Sequence, residues 1–194
     1  MMMLKGFVSD ILDSQAIFRK LLTAMANPGT LMDIGMDMTC PDPLHPASGA
    51  VLLTLLDFET PFWSDIEHAS TGVQWLRFHT NAPYMRLKHH SLFALCTDVE
   101  SLGDPGLFNP GTIESPDLST TLIVQTKGIS DAGRIRLSGP GIKAPKFLHL
   151  NGIPEEFIKD RSKLCLSYPL GVDMIFVHGR TLTALPRTTQ AEVL

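Results

Sequence analysis

The sequence predicts an α/β protein: one domain, residues 1–194, built on a mixed central sheet flanked by helices. Three observations carry that prediction. Two β-rich runs, 172–177 and 181–185, flank the connector His178-Gly179-Arg180, where a glycine that tolerates positive φ allows a tight hairpin. Met174-Ile175-Phe176-Val177 is apolar without a break, as expected of a strand covered on both faces. Segments of helical period and segments of strand length alternate irregularly along the chain, with no repeat, low-complexity tract or linker to divide it.

Taken in order, the opening Met1-Met2-Met3-Leu4 is broken by Lys5, Gly6 and Asp10, and no small-residue cleavage site follows, which argues against a signal peptide. Asp13 or Ser14 is placed to cap a helix reaching about Asn27, with Ile17, Phe18, Leu21, Leu22 and Met25 forming one core-facing stripe. Asn27-Pro28-Gly29 stops it. Residues 30–38 are ambiguous, an edge strand being one reading. The prolines at 41, 43 and 46 make the next segment a loop. Ser48 as a cap then favours a buried helix through Ala50-Val51-Leu52-Leu53-Thr54-Leu55-Leu56, with a strand as the alternative. Pro61-Phe62-Trp63-Ser64 resembles a short strand, and 71–77 a short helix with Val73 and Leu76 inward.

Strands are expected at 92–96 and 120–126, separated by a turn-rich loop. Arg134-Ile135-Arg136-Leu137 alternates and runs into Ser138-Gly139-Pro140-Gly141. Pro154-Glu155-Glu156 opens a helix, with carboxylates at the positive end of its dipole, that closes before Tyr168-Pro169. Residues 181–185 alternate like a half-exposed edge strand; Pro186 ends the pairing and delivers Arg187-Thr188-Thr189 to the surface.

Composition narrows the function classes. Hydrophobic residues at 44% and charged residues at 19% exclude wholesale disorder. A formal charge of −4 without a basic run argues against nucleic acid as a partner. No stretch approaches the roughly 20 apolar residues that span a bilayer, so no membrane association is expected. Cys40, Cys96 and Cys165 are widely spaced and unpaired in pattern, which reads as free thiols in a reducing cytoplasm.

Zinc, Walker and nucleophile-elbow motifs are missing from the sequence, and the adjacent His89-His90 points to opposite sides of the backbone, so no metal is expected. Two constellations remain. Arg77-Phe78-His79-Thr80-Asn81 offers a guanidinium, an imidazole, a hydroxyl and an amide to a phosphate or phosphonate oxyanion. The other reading is that Arg77 and Asn81 cap a helix end. Asp173 with Arg187-Thr188-Thr189 brackets the hairpin, either as a site or as a structural ion pair.

Several blocks, in order along nearly the whole chain, resemble the PhnH subunit family of the carbon–phosphorus lyase system. They are Ala16-Ile17-Phe18-Arg19-Lys20-Leu21-Leu22 with Asn27-Pro28-Gly29, Val51-Leu52-Leu53-Thr54-Leu55 with Thr60-Pro61, and Leu76-Arg77-Phe78-His79-Thr80-Asn81-Ala82-Pro83. Arg136-Leu137-Ser138-Gly139-Pro140-Gly141-Ile142, Pro169-Leu170-Gly171-Val172-Asp173 and Leu185-Pro186-Arg187-Thr188-Thr189 continue the series. Departures are expected in loops around 40–46 and 147–163.

The resemblance implies a cytoplasmic homodimer that works with the other core subunits on ATP and an alkylphosphonate, releasing adenine and leaving a ribose 1-phosphonate 5-triphosphate. It implies a fold similar to that of pyridoxal-phosphate-dependent transferases without the cofactor, and no other cofactor. It carries over no catalytic residue. The chain is therefore expected to be inactive alone and to organise the complex. The alternatives are that it contributes substrate-binding residues, Arg77, His79, Asn81 and Arg187, or that it is an independent small-molecule transferase.

Overall fold

The computed structural model describes residues 4–165 and 168–194. The chain runs α1 (Asp10–Ala26), β1 (Met32–Asp33), α2 (Pro46–Leu55), β2 (Phe62–Ser64), α3 (Thr71–Thr80), β3 (Phe93–Cys96), α4 (Val99–Leu102) and β4 (Thr121–Gln125). It continues with β5 (Gly128–Ser138), β6 (Lys146–Asn151), α5 (Glu155–Leu164), β7 (Asp173–His178), β8 (Thr181–Leu185) and β9 (Gln190–Val193).

Six strands make the central sheet in the order β1-β8-β7-β4-β3-β2. β2, β3, β4 and β7 are parallel, whereas at one edge β8 pairs antiparallel with β7 and β1 antiparallel with β8. A mixed sheet inside an α/β domain is thus confirmed, and the apolar run of β7 is its spine: Met174, Ile175, Phe176 and Val177 are all buried. Their alternation divides the core. Ile175 and Val177 join Leu95, Ile123 and residues of α1, α2 and α3 on one face. Met174 and Phe176 join Leu122, Val124 and residues of α4 and α5 on the other.

The sequence reading needs correction on that second face. A separate three-stranded sheet, β6-β5-β9, covers it through Leu137, Leu148, Leu150 and Ala191. Residues 146–151, expected within a variable loop, are a strand, whereas the helix expected to open at Pro154-Glu155-Glu156 is present as Glu155–Leu164. The alternation of Leu148 and Leu150 with exposed Phe147, His149 and Asn151 was the overlooked period-two signal. β5 bulges between Ser130 and Ile135, where Gly133 lies so close to β6 that a Cβ there would be 2.2 Å from the Leu148 carbonyl oxygen.

Smaller corrections have local causes. Ser9, rather than Asp13 or Ser14, caps α1: its hydroxyl accepts from Leu12 N–H, while Asp13 accepts from Ser9 N–H at 2.9 Å. Only part of the α1 stripe is covered; Ile17 and Leu21 are buried, whereas Phe18 is 46% and Leu22 53% exposed. α2 begins at Pro46 with His45 as the cap, because proline suits the first helical turn; Ser48 is buried inside, donating to Gln125 Oε1 at 2.7 Å. α3 extends to Thr80, beyond the expected 77. β8 is not half exposed: β1 shields it, and Leu182 through Leu185 are buried. Its hairpin with β7 turns on Gly179 and Arg180, with Gly179 at φ 54°.

Candidate functional site

A cavity of about 770 Å³ opens where the small sheet meets the chain leaving β8. Arg136 and Ser138 of β5 stand opposite Glu192 and Gln190 of β9, so these four side chains share one face of the ladder. Ser162 and Cys165 from the end of α5, Tyr168, and the turn Arg187-Thr188-Thr189 close the walls. A shallower recess of about 290 Å³ shares Tyr168, Arg187 and Thr188 and continues past Asp117 and Asp173.

Arg187 is fixed by β7. Its Nη2 and Nε donate to Asp173 Oδ2 and Oδ1 at 2.6 and 3.3 Å, and its backbone N–H donates to Oδ1 at 2.7 Å. Nη1 donates to the Pro116 and Pro169 carbonyls. Of the two readings left open for Asp173, the ion pair is present, partly buried, and it holds the Arg187 guanidinium at the cavity wall.

Arg161 supports the same turn from beneath. It lies on the buried face of α5 with Phe157 and Ile158, and its side chain is 0% exposed. Its Nη1 and Nη2 donate to the carbonyls of Thr189 (2.9 Å), Leu185 (3.1 Å) and Pro186 (2.6 Å). Among the described residues no carboxylate lies within ion-pair distance of it. Burial pulls its pKa below the ordinary arginine value, an effect that Cys165 and Asp173 only partly offset. Burial likewise pushes the Cys165 thiol up, against the pull of Arg161. Arg161 was missed from sequence; the available signal was a charged residue continuing the apolar stripe of 157 and 158.

Arg77, His79 and Asn81 lie elsewhere, at the end of α3. Arg77 Nη1 donates to His68 Nε2 at 2.9 Å. His79 Nε2 donates to the Leu4 carbonyl at 3.0 Å and its ring meets Trp75 edge-on. Asn81 is the left-handed C-cap, φ 56°, and its N–H donates to the Arg77 carbonyl. Two residues apart on a helix, Arg77 and His79 project about 200° apart. The structure thus spaces these three around a helix end, and Arg187 lines a cavity to which none of them contributes. Among the described residues no group of three or more His, Cys, Asp or Glu side chains is disposed to hold a metal ion. Among the described residues no helix is long and apolar enough to cross a membrane.

Fold and cavity define a class: a mixed α/β domain whose main cleft carries arginines, hydroxyls and a thiol. The chain belongs to the PhnH family, described as bacterial phosphonate metabolism protein, whose family model matches residues 5–192. It is 33% identical over 188 residues to the alpha-D-ribose 1-methylphosphonate 5-triphosphate synthase subunit PhnH of Rhizobium meliloti, covering 96% of this chain and 94% of that one. It is 30% identical over 176 residues to HtxG of Stutzerimonas stutzeri, whose name refers to C–P lyase, covering 90% and 84%.

Proposed function

We propose that this chain is a subunit of a carbon–phosphorus lyase system. In that system it serves, with partner subunits, the transfer of the ribose triphosphate of ATP to an alkylphosphonate with release of adenine. Near-complete alignment with a relative named as a subunit of ribose 1-methylphosphonate 5-triphosphate synthase carries this reading. It works as a cytoplasmic homodimer that organises the complex and has no turnover alone. The lining of its main cleft supports this, because the Cys165 thiol there is pushed towards its neutral form by burial and, among the described residues, no histidine lines the cleft with it. A kinship with the pyridoxal-phosphate-dependent transferase fold, without the cofactor, belongs to the same reading. Its support is the predominantly parallel order of β2, β3, β4 and β7.

Light scattering and co-purification test the assembly. The expected results are a dimer at micromolar concentration and capture of the other core subunits by a tagged chain. A monomer that captures none of them would overturn the organiser role.

A further inference from the structure

Two guanidinium groups, Arg136 and Arg187, line the cleft formed by the end of α5, β9 and the turn after β8, and a third, Arg161, lies buried beneath that turn. Two carboxylates answer them: Glu192 faces Arg136, and Asp173 holds Arg187. Among the described residues Arg161 has no ion-pair partner of its own, and Asp173, engaged by Arg187, only partly offsets its burial. Buried ions are normally paired, since the low-polarity interior does not solvate them. Backbone carbonyls satisfy part of the Arg161 fork, but among the described residues its buried Nε finds no hydrogen-bond partner, nor does Thr189 Oγ1 in the cleft-lining turn. Such orphaned groups are uncommon in native folds.

We propose that this cleft binds a phosphoryl or phosphonyl oxyanion. Its negative charge would compensate Arg161 from across the turn that Arg161 supports. Arg136 is the mobile donor: it is 47% exposed in its side chain and can leave Glu192 at little cost, since an exposed ion pair contributes under about 1 kcal/mol. Ser138, Thr188 and Gln190 supply neutral donors from the wall. Tyr168, 72% exposed at the rim, offers an aromatic face to a base or sugar. A volume of about 770 Å³ accepts either a small phosphonate or a nucleotide triphosphate. The oxyanion class rests on charge alone; the two candidate sources rest on the subunit reading above.

The test titrates the full-length chain with methylphosphonate and, separately, with ATP in the presence of a chelator. Amide shifts of Thr188, Gln190 and Glu192 are followed, together with alkylation of Cys165 scored by peptide mass. Saturable shifts in this segment with protection of Cys165 are expected from at least one probe. Response to methylphosphonate alone assigns the cleft to the phosphonate, and response to ATP alone assigns it to the triphosphate. Arg136→Ala, on an exposed side chain, should weaken the responding probe about tenfold while leaving the melting temperature in place. No saturable change from either probe at millimolar concentration overturns the site, as do shifts confined to the end of α3. A chain that fails this test and still supports the reconstituted synthesis separates failure of the cleft from failure of the subunit reading.

Discussion

Asn81 occupies a backbone conformation that most side chains resist, φ 56°, at the point where α3 must stop before Pro83. Asn81→Gly should therefore leave stability nearly unchanged. Asn81→Val should lower it by about 1–2 kcal/mol, read from thermal melts, because a β-branched residue is forced into the left-handed region. If reconstituted turnover is lost in Asn81→Gly while the melt is unchanged, the carboxamide contacts substrate. Equal turnover makes Asn81 a cap alone. His45 gives a second residue-scale expectation. Its own N–H donates to Gln125 Oε1 at 2.7 Å, and its Nδ1 accepts from Gly179 N–H at 3.3 Å. Burial, then the neighbouring His178, lowers its pKa below 6.5. The folded state therefore binds this proton less readily than the unfolded state does. Its contribution is complete above about pH 6.5 and declines as pH falls through the lowered folded value. Urea unfolding at neutral and mildly acidic pH should show that decline in the native chain and a flatter profile in His45→Asn, which keeps an acceptor but cannot titrate.

At the scale of elements, β7 is the strand on which both halves of the core depend, because its residues alternate between the helical face and the face of the small sheet. Met174→Asp places an unpaired carboxylate at a position with 0% exposure and should cost roughly 3–5 kcal/mol in denaturant unfolding. A loss under about 1 kcal/mol would show that this strand is not central to stability. β7, β4 and the hairpin turn were legible in the sequence because uninterrupted apolar runs between turn residues leave few alternatives. β6 and β9 were not read. The alternation in β6 is diluted by His149 and Asn151, and β9 has four residues whose pairing is long-range. The same long-range contacts hid the cleft. Arg136 and Glu192 meet only through the β5–β9 register, and Arg161 reaches the turn after β8 across 24 or more residues. The pair Asp173–Arg187 was anticipated because both flank one hairpin.

At the scale of the whole molecule, the helical layer and the small sheet sandwich the central sheet, and the cleft sits on the small-sheet side, away from α3. Ile11, Phe18 and Leu22 remain exposed on α1. The family to which the chain belongs ties this architecture to phosphonate metabolism. The central claim, that the chain is an obligatory subunit with no turnover alone, is tested most directly by following adenine release from ATP and methylphosphonate. Purified partner subunits are assayed with the chain, without it, and with the chain as the sole protein. The account predicts release only in the complete mixture, restored in proportion to added chain until a fixed stoichiometry is reached. Undiminished release without the chain, or release by the chain alone, would contradict it.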